Sequence, residues 1–179
     1  MSGCGEVTLD IGPGADNPRN SEGGLINLND GRILFAYSRF SGSEGHDDSP
    51  SDIAVVFSED DGRSWCEPEI VVTADSHKAR NVMSVSLIRM NNGDVGLFYG
   101  ARVGTNDCRI HLRRSSDEGK SWSVGLPCIE PPAYYVVNND RIVRLSSGRI
   151  VIPAAFHRNG YDSFDTARKA RFDRRAVDV

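Results

Sequence analysis

Apolar and polar residues alternate along the chain in short blocks, and three of the blocks share one design. Gly24–Arg39 (GLINLNDGRILFAYSR), Ser86–Arg102 (SLIRMNNGDVGLFYGAR) and Arg141–His157 (RIVRLSSGRIVIPAAFH) each hold an apolar strand, a polar turn closed by glycine and a second apolar strand. The turn glycines, Gly31, Gly93 and Gly148, stand 62 and 55 residues apart. Asn29-Asp30-Gly31 and Asn91-Asn92-Gly93 predict hairpins, because Asn and Gly accept the positive φ that tight turns require. A second element follows the first two hairpins: Ser58–Trp65 and Ser115–Trp122 both read S-x-D-x-G-x-x-W. Each follows a strand-like run (Ile53–Phe57, Arg109–Arg113) and precedes another (Glu69–Thr73, Cys128–Glu130). The unit is four short strands in about 57 residues, a period that predicts propeller blades. Helical periodicity with caps is lacking throughout; Ala167–Val177 reads as a weak helix and Arg171–Val179 equally well as a strand.

Composition narrows the picture. The 179 residues carry 21 basic and 25 acidic side chains, a formal charge of −4. That balance argues against a nucleic-acid partner, which calls for a basic stripe. The longest apolar runs, Ile53–Phe57 and Ile150–Phe156, are too short to span a bilayer. The four cysteines (Cys4, Cys66, Cys108, Cys128) show no CxxC spacing, and the N-terminal stretch reads as no signal peptide. Reduced thiols in a cytoplasmic protein are the expectation. The histidines (His46, His77, His111, His157) lack metal-ligand spacing, and Asp60-Asp61-Gly62 lacks the other ligands of a calcium loop.

The S-x-D-x-G-x-x-W element is the Asp-box, and these boxes with their hairpins resemble the sialidase (neuraminidase) superfamily, in particular bacterial sialidase-like proteins with BNR repeats. The resemblance runs from about Asn17 to His157 and implies an all-β, six-bladed propeller. An extension over 1–16 would precede blades at 17–75, 76–130 and 131–179. Counting turn glycine to box Asp gives 29 residues (31 to 60) and 24 (93 to 117), so a third box is due near 172–177. The sequence there reads FDRRAVDV, which predicts a third blade ending in its third strand, about half a propeller. Such a half is expected to be inactive alone and to expose apolar blade faces that self-association covers.

In the box, local chemistry explains every fixed position. Ser58 and Asp60 bond backbone amides, Gly62 supplies a conformation other residues avoid, and Trp65 plugs its own blade; Ser115, Asp117, Gly119 and Trp122 repeat these roles. In the resembled family the box lies away from the active site.

For that site the resemblance implies an arginine cluster gripping a sialic-acid carboxylate, an Asp acid/base, and a Tyr nucleophile assisted by Glu. It implies a glycan substrate and no metal or cofactor. Arg19 occupies the place of the first arginine, although Arg-Asn-Ser stands where the family has Arg-Ile-Pro. Counting about eleven residues back from Ser58 places the acid at Asp47 or its neighbour Asp48. Arg39 and His157 end second strands and are further candidate contacts. Asp140 and Arg141, in the segment corresponding to Arg19–Glu22, are expected to face the axis or to pair with each other. The nucleophile and remaining arginines are expected in later blades, and Tyr134 and Tyr135 are read as lying before the third repeat. Two alternatives stay open: a non-catalytic propeller that binds carbohydrate or protein, and a glycosidase using two carboxylates.

Overall fold

The structure, a computed structural model, describes residues 5–130, 133–157 and 173–178. Strand follows strand: β1 (Asn20–Asn27), β2 (Ile33–Phe40), β3 (Ser51–Ser58), β4 (Glu69–Val72), a 3-10 turn at Asp75–His77, β5 (Asn81–Arg89), β6 (Val95–Arg102), β7 (Cys108–Ser115), β8 (Leu126–Pro127), β9 (Tyr134–Val136), β10 (Val143–Arg144), β11 (Ile150–His157) and β12 (Asp173–Asp178). The all-β fold read from the repeats is the one observed. β1–β4 form an antiparallel four-stranded blade in chain order, and β5–β8 repeat it. In the third, β11 pairs with β9 and β10 on one side and with β12 on the other.

The three hairpins close identically. Leu28, Met90 and Leu145 donate to Arg32, Asp94 and Arg149 at 2.8–2.9 Å, and each turn glycine N–H returns to the first of the pair at 2.9–3.2 Å. Only the glycines take positive φ, at 90°, 92° and 89°. These are three-residue loops, a type I turn ending in a left-handed glycine. The expected positive φ at Asn is therefore corrected. The polar residue before each glycine earns its place differently: Asp30, Asn92 and Ser147 accept the backbone N–H two residues on.

Two further expectations change, and one open alternative is decided. The last strand of the second blade is Leu126–Pro127 rather than Cys128–Glu130; of the expected segment only Cys128 reaches β7, its N–H donating to the Ile110 carbonyl at 2.8 Å. Tyr134 and Tyr135 do not precede the third repeat. They open its inner strand, with Tyr134 opposite His157 and Tyr135 opposite Phe156. Near the C-terminus, Asp173–Asp178 is a strand beside β11; the rest of the 167–177 helix alternative lies outside the described residues.

Two apolar seams hold the blades together. Leu34, Ala36, Ile53 and Val55 of the first blade meet Val82, Val85, Leu97 and Tyr99 of the second. On the other face of that second sheet, Phe98 and Ile110 meet Val137, Ile142, Ile152 and Ala154 of the third. A blade covered on both faces needs apolar residues at consecutive positions, so β6 (VGLFYGAR) is buried along almost its whole length. Trp65 and Trp122 pack against apolar clusters but remain only half-buried, less enclosed than full plugs.

Candidate functional site

The site lies where second strands end and first strands begin, at the opposite end of each sheet from the S-x-D-x-G-x-x-W loops. The β2–β3 connection supplies its acidic residues. Ser49 N–H donates to the His46 carbonyl (2.9 Å) and His46 N–H to Ser49 Oγ (3.1 Å), closing a turn with Asp47 and Asp48 as its two central residues. Gly45 lets this turn lie against Arg19, since a Cβ there would stand 2.9 Å from that of Arg19.

The structure brings Arg19 and Asp47 together. Nη1 of Arg19 meets Asp47 Oδ1 at 2.6 Å and the Gly45 carbonyl at 3.1 Å. Its Nε donates to Ser21 Oγ at 2.8 Å, Nη2 stands 3.5 Å from Glu22 Oε1, and the guanidinium carbon sits 4.4 Å over the Phe40 ring. The planar fork is thus fixed by partners on three sides.

The second blade clamps the same turn. Asn81 Nδ2 and Arg102 Nη1 donate to the Asp47 carbonyl at 2.8 and 2.7 Å, and Arg80 Nε donates to the Asp48 carbonyl. Arg102 also lies 5.8 Å over the ring of Tyr134, the residue opposite His157. A row therefore runs across three blades: Arg19, Asp47, Arg102, Tyr134, His157. Arg80 and Arg102 escaped the sequence reading. The signal was present for Arg102, which ends the second strand of its repeat as Arg39 and His157 end theirs.

Other candidates are placed apart. Register sets Arg39 opposite Asn20, on the face of Tyr37 and away from the Arg19–Phe40 side. Asp140 and Arg141 do not begin an inner strand. They lie in a bulge between β9 and β10, exposed, forming no ion pair with each other, and dock through main-chain N–H groups to Val85 O (2.9 Å) and Ser86 Oγ (3.2 Å).

That bulge has counterparts. Glu22, Ser84 and Asp140 take φ of 58°, 63° and 53° where the inner strand of each blade breaks register. The breaks meet: Ser84 Oγ donates to Glu22 Oε2 (3.2 Å), Ser84 N–H to Ser38 Oγ (3.1 Å), and Asn139 Nδ2 to the Gly23 carbonyl (3.2 Å). Burial raises the Glu22 carboxyl above its usual range, with Arg19 opposing and Asp47 reinforcing the shift. Glu22 also borders a cavity of about 300 Å³ shared with Leu9, Ile11, Phe35 and Tyr37. Among the described residues, no cluster of three His, Cys, Asp or Glu side chains is placed to hold a metal ion.

Residues 31–173 match the BNR repeat-like domain. The chain belongs to that family. Its fold is that of the sialidases. A Hadza microbial sialidase superposes with a TM-score of 0.67 at 17% identity, over 79% of this chain and 33% of that one. A protein of unknown function from Dyadobacter fermentans gives 0.66 at 19%, over 89% and 51%. Leech intramolecular trans-sialidase, complexed with 2,7-anhydro-Neu5Ac, gives 0.65 at 13%, over 87% and 43%. The chain thus spans a third to a half of these structures. No curated protein matches it.

Proposed function

We propose that this member of the BNR repeat-like family supplies the acid/base part of a glycoside hydrolase site that removes a terminal sialic acid. The carrying observation is the 2.6 Å pairing of Arg19 with Asp47, residues 28 apart in sequence, at the end where three blades present their strand termini. Two structural relatives bear the names sialidase and trans-sialidase, which supports an anionic sugar as the substrate.

The pairing has a chemical use. A ligand carboxylate that takes the Arg19 fork bidentately displaces Asp47. Asp47 then loses its counter-charge and gains an anionic neighbour, which favours its neutral carboxyl. A neutral carboxyl at that place is the proton donor that a departing glycosidic oxygen needs. Asn81 and Arg102 hold the Asp47 main chain while its side chain changes partner. Asp48 is the alternate acid, and His157, which closes the row through Tyr134, is a candidate sugar contact; Arg39, Asp140 and Arg141 lie apart from that row and take no part in this reading.

One observation favours the rival reading of a non-catalytic binding propeller: the Asp47 side chain is 68% exposed, where a general acid works best desolvated. The two separate by assay of a fluorogenic α-sialoside with a polypeptide carrying these blades in a closed ring. Asp47→Asn is expected to lower kcat on an ordinary sialoside about 10²- to 10⁴-fold, and less where the leaving group is good. Unchanged kcat in both Asp47→Asn and Asp48→Asn would overturn the acid assignment.

A further inference from the structure

Arg19 has two carboxylate neighbours. Asp47 meets Nη1 at 2.6 Å and Glu22 stands 3.5 Å from Nη2, so the fork lies between them. Asp47 rides on an exposed turn. Glu22 sits in a backbone break with φ of 58°, costly for a residue with a side chain, and is held there by Ser84 of the next blade. Its side chain is 22% exposed against 68% for Asp47. A second observation marks a ligand place beside it. Tyr37, 2% exposed, carries a hydroxyl without a hydrogen-bond partner and borders the cavity that Glu22, Asn20 and Ser21 also line.

We propose that Glu22 is a positioning residue that gates Arg19: the ionised carboxylate holds Nη2 and repels an anionic ligand, and the neutral carboxyl leaves Nη2 to that ligand's carboxylate. This rests on the reading of Arg19 as the anion-binding arginine. The charged and titratable groups around Glu22 are Arg19 and Asp47 at its own end of the sheet and Tyr37 across the cavity; Ser84 on β5 is uncharged, and Asp140 of the third blade lies against Gly24 two residues on. Burial of the carboxyl works in the direction that the gate needs, raising the pH at which it opens.

The gate makes affinity for an anionic sugar fall as pH rises through the Glu22 titration. The test is binding of free N-acetylneuraminate, by calorimetry from pH 4.5 to 8, to the polypeptide carrying these blades in a closed ring and to its Glu22→Gln variant, with carbon-13 titration of the Glu22 carboxyl in the ligand-free proteins. Wild type is expected to lose about tenfold in affinity across the range. Glu22→Gln, which keeps the shape and the Ser84 bond, is expected to bind at pH 8 as wild type does at pH 4.5. Asp47→Asn is expected to lower the Glu22 titration midpoint, since it removes a like charge and frees Arg19. An equal pH slope in wild type and Glu22→Gln, or a Glu22 midpoint unmoved by Asp47→Asn, overturns the gate alone. Absence of binding at every pH in folded protein overturns the anion-binding reading of Arg19 and the gate with it.

Discussion

The two S-x-D-x-G-x-x-W loops are the same object inside and different objects outside. Ser58 and Ser115 each accept the N–H of the box glycine at 2.8 Å and donate to the box Asp at 2.9 and 2.7 Å. Asp60 and Asp117 each accept the N–H of Ser64 or Ser121 (2.8 and 2.9 Å) and its hydroxyl (2.6 and 2.5 Å). Asp61 and Glu118 precede Gly62 and Gly119, and all four have φ between 58° and 85°. Beyond the loop the likeness ends. Glu118 takes both Arg89 Nη groups at 2.8 Å and the Asn29 backbone N–H at 2.9 Å, while its carbonyl accepts Arg32 Nη2 at 2.8 Å. It therefore fastens the second blade to the first blade's hairpin turn. Asp61, at the same motif position, makes none of these bonds. The fixed letters of the motif build the turn, and a variable letter builds the interface.

The largest way to probe this difference is to remove the tryptophans. Trp122 packs against the seam between the first two blades, whereas Trp65 packs on the outer face of the first blade, against Tyr37, Ala54 and Val56, and donates its indole N–H to the Gly62 carbonyl at 3.1 Å. Full burial of such a ring is worth about 3–5 kcal/mol on truncation, and half-burial less. Trp122→Ala is expected to cost about 3 kcal/mol and Trp65→Ala about 2 kcal/mol in chemical denaturation, scaled down from that range. Both should leave anion binding at the far end of the sheet unchanged. Equal losses would mean that the seam adds nothing to the second box.

The motif position between Asp and Gly gives a smaller and more selective test. Glu118→Gln removes the charge from a bond set that spans two blades. An ion pair of this partly exposed kind is worth up to about 1 kcal/mol. Asp61→Asn should be close to neutral. A Glu118→Gln protein as stable as wild type would show that the apolar seam alone holds the blades, with the staple idle.

The same contrast explains what the sequence could reveal. The turns Asn29–Arg32 and Asn91–Asp94 and both boxes fold through bonds between residues at most a few positions apart, so their spacing exposes them and, through repetition, the blades. The site has no such local code. Arg19 meets Asp47 across 28 residues and Arg102 meets Asp47 across 55, with nothing repeated to mark either pair. Arg19 and Asp47 were reached only through resemblance to a family. Glu22, the other acidic neighbour of Arg19, went unnoticed because its position is made by a backbone break that no residue type announces. Tyr134 was misplaced for a related reason. In the first two blades the inner strand runs nearly unbroken into the hairpin, but in the third a longer bulge over 137–142 separates β9 from β10, and a count from Gly148 stops short of it.

Acid sharpens the comparison most finely, because it reads the inside of both loops at once. The hydroxyl of Ser64 and that of Ser121 are the main cause holding Asp60 and Asp117 at about 2, against an ordinary 3.8. A carboxylate held below its unfolded value contributes stability that is full above about pH 4 and is lost as pH falls toward 2. Because the two loops bond alike, Asp60→Asn and Asp117→Asn should each flatten the fall of Tm across that window, and by the same amount. A separate window belongs to the contact between the first two blades. Burial, then the neighbouring His111 and Arg113, holds His77 at about 4 against 6.5, and its ring shares a 2.7 Å hydrogen bond with Tyr99 OH. Burial lowers His111 as well. Here the unfolded chain takes up protons first, so stability is full above pH 6.5 and declines as pH falls to 4. His77→Gln should erase most of that upper decline, on the order of 2 °C in Tm for a chain of this size, and leave the lower one intact. If Asp117→Asn flattened the lower window markedly more than Asp60→Asn, the interior of the second box would be coupled to its staple through Glu118, and the two loops would differ inside as well as out.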